Sequence, residues 1–172
     1  MILDIDLDGT RWLSQCTLLC VDTFRRMFDW IEDRDPRVRA SLYAPTFADP
    51  EEERAWRSLM HNDLEHLVLS RKEIVQGDLA RLRVDEPGLY SIPLPATHDT
   101  AWLSSLNAAR LALFALQGLA QGDMDADLDD VDDDDKQLAL VRIHLMAFAQ
   151  EQIMQGASRA ADDAAEGADP SA

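Results

Sequence analysis

The spacing of apolar residues along this chain predicts helices over most of its length. Leu13, Cys16, Cys20, Phe24, Met27 and Ile31 recur every three or four positions, one apolar seam on a first helix that Asp35-Pro36 ends. Asp49-Pro50-Glu51-Glu52 then supplies an N-cap, a first-turn proline and a capping acid. A second helix is therefore predicted over roughly residues 50–82, with Trp56, Met60, Leu64, Leu67, Ile74 and Leu79 inward and Gly77 as its weak point. A third opens near Thr97 or Asp99 and stops at Gly118, where a left-handed cap folds Leu119 back on Phe114. A fourth, Lys136 to Gln155, turns Leu138, Val141, Leu145 and Phe148 inward, and Gly156 closes it.

Strand signals are fewer. Ile2 to Leu7 alternates apolar and acidic residues, and Asp8-Gly9 is a common two-residue hairpin turn. Leu89-Tyr90-Ser91-Ile92, set among prolines and a glycine, reads as one short strand that pairs with the hairpin, while Pro36 to Ala48 reads as a loop. The expected fold is mostly α in an α+β arrangement: four main helices with a small antiparallel sheet from the N-terminal hairpin and one later strand. At 172 residues the chain makes one domain, placed at residues 1–155, and residues 156–172 lack any apolar pattern and are expected to form a disordered acidic tail.

The third helix carries the most informative chemistry. Trp102, Leu106, Ala109, Leu113 and Leu116 form one stripe, and Leu103, Asn107, Arg110 and Phe114 form the next. Apolar cover on several sides places Arg110 inside the domain, where its charge needs a carboxylate or a set of carbonyl acceptors. Trp102, Asn107, Arg110 and His144 are the candidate binding residues, His144 as a possible member of a polar pocket with Arg110.

The formal charge of −17 comes from 24 Asp and 9 Glu against 14 Arg and 2 Lys. A chain so acidic repels nucleic acid and anionic membranes, so neither is an expected partner. The longest apolar run, Leu111 to Leu116, is far shorter than a membrane span, and no export signal opens the chain; a soluble cytoplasmic protein is expected. Cys16 and Cys20, four apart on a predicted helix, read as core thiols in a reducing compartment.

Asp4-x-Asp6-x-Asp8-Gly9 matches the first half of a calcium loop, but its twelfth place is Gln15 instead of a bidentate glutamate. As an aspartate-nucleophile phosphatase motif it lacks the alternating strands that such a fold requires, so a plain hairpin turn is the expectation. Asp123 to Asp135 holds nine aspartates in thirteen residues and reads as a solvated linker whose last acids favour the start of the fourth helix. His61 to His66 lacks the two-histidine spacing of a zinc protease, and no phosphate loop or nucleophile elbow occurs. No metal and no cofactor is expected.

Leu94-Pro95, Trp102-Leu103, Leu106-Asn107 and Arg110 to Leu113, followed by Ile143-His144-Leu145 and Gln150-Glu151, form a recognisable succession. Together with the hairpin and the long second helix, over about residues 1–155, it resembles a bacterial family catalogued only as a domain of unknown function. The resemblance implies the helical architecture and brings no activity, cofactor or catalytic residue. Some relatives being encoded beside an adaptor of the Clp protease implies a link to proteolysis or its regulation. The acidic linker and tail depart from the family's pattern. The expected function is that of a non-enzymatic interaction or regulatory protein with a protein partner. The alternatives are a small-molecule or metal-dependent enzyme built around Arg110, and a weak divalent-cation binder through its aspartates.

Overall fold

A computed structural model of the chain describes residues 1–6, 10–43, 45–125, 128, 131 and 133–166; the side chains of residues 61, 62, 64, 65 and 159–166 lie outside that description. Among the described residues the order is β1 (Ile2–Ile5), β2 (Arg11–Thr17), α1 (Leu18–Ile31), α2 (Pro36–Leu42), α3 (Pro50–Ala80), β3 (Arg83–Glu86) and β4 (Leu89–Pro93), then α4 (Asp99–Leu116) and α5 (Asp134–Glu166). Short 3-10 turns precede α4 at Ala96–His98 and follow it at Gln121–Met124. The fold is mostly helical with one small antiparallel sheet, as expected, and the described residues form five α-helices in place of four and four strands in place of three.

The strands lie in the order β1-β2-β4-β3, every neighbour antiparallel. Tyr90 does pair with the opening hairpin, standing opposite Cys16. The stretch from Val84 to Leu94, expected to give one strand, belongs to a second hairpin that begins at Arg83, because Pro87-Gly88 makes a tight turn with Gly88 at φ 84°. The first turn's Asp8 and Gly9 lie outside the described residues. Asp6, beside them, accepts from the Thr10 amide at 2.9 Å and the Trp12 indole at 2.8 Å, which commits it to its own hairpin.

The first helix starts later than the periodicity suggests. Leu13 and Cys16 belong to β2, and Thr17 caps α1 by accepting from the Cys20 amide. The ladder between β2 and β4 skips between Leu13 and Cys16, so the extra residue of a bulge places both on the buried face three positions apart. That spacing imitates a helix. The two cysteines thus sit on different elements, both free and both buried. Pro36, expected to open a loop, opens α2: Asp35 accepts from the Arg37 amide at 2.8 Å, and Val38 is fully buried.

One core joins the inner sheet face to the helices, with Leu13 and Ile92 meeting Phe24, Met27, Trp102, Leu106, Leu140 and Met146, all fully buried. Asp49 caps α3 as expected, accepting from the Glu51 and Glu52 amides. Of the inward set expected on α3 only Leu79 is buried; Trp56, Met60 and Ile74 are half-buried, Leu67 is 44% exposed, and the Leu64 side chain lies outside the described residues. The reason is length: 31 residues reach about 46 Å, and it is the C-terminal part, from Val68 through Lys72, Val75, Asp78 and Leu79, that meets the body.

α4 ends as predicted. Gly118 is left-handed at φ 59°, and the Leu119 and Gly118 amides bond back to Phe114 and Ala115. Asp133 caps α5 by accepting from the Asp135 and Lys136 amides, the role expected of the last acids in the run, much of which lies outside the described residues. α5 presents a different stripe from the one expected. Ala139, Leu140, Ile143, Met146, Ala149 and Ile153 are buried, while Leu138 and Phe148 stay exposed and Val141 and Leu145 half-buried. The buried stripe joins Leu140, Ile143, Met146 and Ile153 with two alanines, so two adjacent apolar stripes compete for the core and periodicity alone does not separate them. Gly156 does not end the helix, which runs to Glu166; it admits Leu3, whose Cδ2 would lie 2.0 Å from any Cβ there. Residues 167–172 of the expected tail lie outside the described residues. Among the described residues no helix is long and apolar enough to cross a membrane.

Burial, and next to it the neighbouring Cys20 thiol, pushes the Cys16 thiol up to about 12. It stays protonated and unreactive through neutral pH. A disulfide-exchange reagent at pH 8 is expected to leave Cys16 unmodified in the native protein and to modify it after unfolding in urea, read by peptide mass spectrometry. Modification of native Cys16 at the rate of a free thiol would contradict its enclosure.

Candidate functional site

The four residues singled out on α4 and α5 do not converge. Among the described residues, no hydrogen bond or ion pair joins any two of Trp102, Asn107, Arg110 and His144. Asn107 and His144 are exposed. Arg110 is half-buried, and of the two kinds of acceptor expected, carboxylate or carbonyl, it meets an amide carbonyl: Nη1 donates to Gln150 Oε1 at 2.7 Å, and Gln150 Nε2 donates to the Leu103 carbonyl at 3.1 Å. Arg110 Nε is buried without a partner. The link is a strut between α4 and α5.

Trp102, fully buried, faces the other way, and its indole N–H donates to Asp78 Oδ2 at 2.9 Å. Asp78 is the polar centre of the interior. Its carboxylate is wholly enclosed and also receives Arg81 Nη2 and His98 Nδ1, the latter at 2.9 and 3.1 Å from its two oxygens. The helical register explains the placement: Asp78 continues the buried line of Val75 on α3's last turn, while the 3-10 turn after β4 delivers His98. Sequence reasoning missed Asp78 and His98. The available signal was that a core tryptophan needs an acceptor for its N–H and that Asp78 interrupts an apolar stripe.

A histidine tied through Nδ1 to a buried carboxylate is the orienting half of a general-base pair. The other half is missing, since among the described residues no hydroxyl or thiol bonds to His98. What the cluster does is hold three segments together.

Two further arginine pairs tie layers together. Arg11, 8% exposed, clasps Asp99 through both Nη atoms at 2.9 and 3.0 Å, fastening β2 to the first turn of α4. Arg142 on α5 donates to Asp22 on α1 at 2.6 Å and lies 5.5 Å from the Trp30 ring. The outer face of the sheet is polar: the Arg83 guanidinium lies 3.9 Å over the Trp12 ring, Arg83 Nε donates to Asp85 at 3.0 Å, and Ser91 Oγ donates to the same carboxylate. Among the described residues, no group of three or more His, Cys, Asp or Glu gathers in a way that would hold a metal ion. The histidine cluster at residues 61–66 lies mostly outside the described side chains.

Taken together, these features define a helical α+β domain whose buried ionic groups are paired within the fold. Residues 23–157 match the family described as a domain of unknown function, DUF2017, and the chain belongs to it. The match starts at Thr23, beyond the opening hairpin that the resemblance was expected to include. No curated protein and no solved structure matches the chain significantly.

Asp78→Ala leaves the Trp102 N–H buried without an acceptor and is expected to lower the unfolding free energy by about 1–3 kcal/mol. Asn107→Ala, on the exposed face, is expected to change it by less than about 0.5 kcal/mol. Urea titration followed by circular dichroism measures both, and equal effects would remove Asp78 from its central position.

Proposed function

We propose that this is a non-enzymatic cytoplasmic protein that works by binding another protein, and that the docking face is the outer part of α3. One observation carries the reading: a helical stripe with the spacing of a core face is left only partly covered by the described residues of the chain's own fold. Trp56 and Met60 are half-buried, Leu67 is 44% exposed and, on the flank of the same stripe, Leu59 is 74% exposed. Phe47, 40% exposed, stands edge-on to Trp56 at 6.0 Å and extends the patch. Apolar surface concentrated in this way on a projecting helix favours a groove or a second helix as its cover.

Charge selects the occupant. At −17 per chain two copies repel each other, whereas an amphipathic helix with basic flanks is attracted. The paired interior favours this reading over an enzyme built around Arg110, whose guanidinium is engaged by Gln150.

A labelled peptide with a leucine stripe flanked by lysines, helical by design, is the probe, and a scrambled peptide of equal composition is its control. Fluorescence anisotropy at physiological salt is expected to show binding of the first alone, weakened about tenfold or more by combining Met60→Glu with Leu67→Glu at unchanged thermal stability. Equal binding of the scrambled peptide would reduce the effect to charge attraction and overturn the reading. So would light scattering that shows a dimer abolished by the same substitutions, since the stripe's occupant is then a second copy.

A further inference from the structure

We propose that the outer face of the sheet binds a linear organic polycation, a polyamine-like molecule with ammonium groups at both ends of an alkyl chain. A cleft of about 410 Å³ opens there between the bulge of β2 and the β3–β4 hairpin. That volume falls within the ordinary range of small-molecule sites, about 300–1,000 Å³. The bulge shapes it: Ser14 and Gln15 have no pairing partners on β4, and Gln15 is held at φ 56°, a left-handed conformation unusual for a residue with a side chain. Such conformations gather at ligand clamps.

The lining divides into engaged and free groups. Arg83, Asp85 and Ser91 satisfy one another, and the Arg83 charge is further met by the Trp12 ring. Asp4 on β1 and Glu86 on β3 have no hydrogen-bond or ion-pair partner among the described residues, and neither does the side chain of Gln15. Ser14, only 8% exposed, also lines the cleft with its hydroxyl unpartnered among the described residues. With Asp4, Asp85 and Glu86 against Arg83, the cleft is net negative and selects cations.

Strand order sets the ligand's length. Asp4 and Glu86 stand on opposite edge strands with β2 and β4 between them, three strand spacings or about 14 Å across. The register offsets them by the four residues from Pro93 to Leu89, about 13 Å along the strands, so their backbones lie roughly 19 Å apart and their side chains reach inward from both rims. A compact ion reaches only one rim. A chain with charged ends reaches both, its methylenes over Leu89 and its inner N–H groups facing Ser14 and Gln15.

Isothermal titration of the full chain in physiological salt with spermidine, putrescine and propylamine tests this. One spermidine per chain is expected, binding more tightly than putrescine, and putrescine more tightly than propylamine. Asp4→Asn and Glu86→Gln should each weaken spermidine about three- to fivefold and bring it close to the single amine when combined. Glu51→Gln with Glu52→Gln, an equal charge change on the first turn of α3, should leave it unchanged. The proposal is overturned if the two pairs of substitutions act alike, if equal ionic strength of magnesium displaces spermidine completely, or if no heat is measured; each result leaves only the protein's general acidity.

Discussion

A carboxylate with no exposed surface at the end of α3 determines how the helical layer is assembled. Asp78 needs donors because a buried charge without them is costly, and its donors come from three places: Arg81 on the same turn, His98 before α4, and Trp102 inside α4. Satisfying all three fixes the end of α3 against the start of α4. Trp102 then transmits the constraint, standing edge-on to Phe24 of α1 at 5.6 Å, an arrangement that suits aromatic rings and orients a third helix. The bidentate clasp of Arg11 on Asp99, with the Leu94 amide bonding the Arg11 carbonyl at 2.8 Å, attaches the sheet to the same end of α4. Asp99 also lies in the first turn of α4, where a carboxylate is favoured by the helix dipole.

This arrangement gives the sheet two unlike faces. Leu13 and Ile92, paired across β2 and β4, enter the core. The opposite face keeps its charges in water or paired with each other. The bulge between Leu13 and Cys16 makes both faces possible at once: it restores Cys16 to the core after an extra residue and leaves Ser14 and Gln15 turned away from the β4 ladder. A flat strand of the same composition would bury a polar residue or expose an apolar one.

Legibility followed locality. Capping signals such as Asp49-Pro50 and Gly118-Leu119 act over a few residues and could be read directly. Asp35-Pro36 is equally local yet has two meanings, the end of one helix and the cap of the next, and here it is the cap. The β2 bulge defeated periodicity because three-residue spacing on a bulged strand and on a helix look the same. Long-range pairing left little trace. Asp78 meets partners 20 and 24 positions away, Arg11 meets Asp99 at a separation of 88, and Arg142 meets Asp22 at 120. Arg110 was legible as a charge needing an acceptor, but nothing local distinguished Gln150 from a carboxylate.

The stripes that did not become core are instructive for the same reason. Periodicity reports that a face is apolar, and an apolar face has two ways to leave water: packing within the chain or packing against another molecule. On α5 the competition was internal, between two apolar stripes, and the one that took the core carries Leu140, Ile143, Met146 and Ile153 together with two alanines, while Leu138 and Phe148 stay exposed. On α3 there was no competition, only distance, since the helix extends beyond the body that would cover it. The formal charge of −17 opposes association of such surfaces between copies of the chain, since like charges repel. On the reading proposed above, the same repulsion would disfavour a second copy and favour an oppositely charged helix as the cover for α3, so acidity and docking would be two consequences of one charge balance.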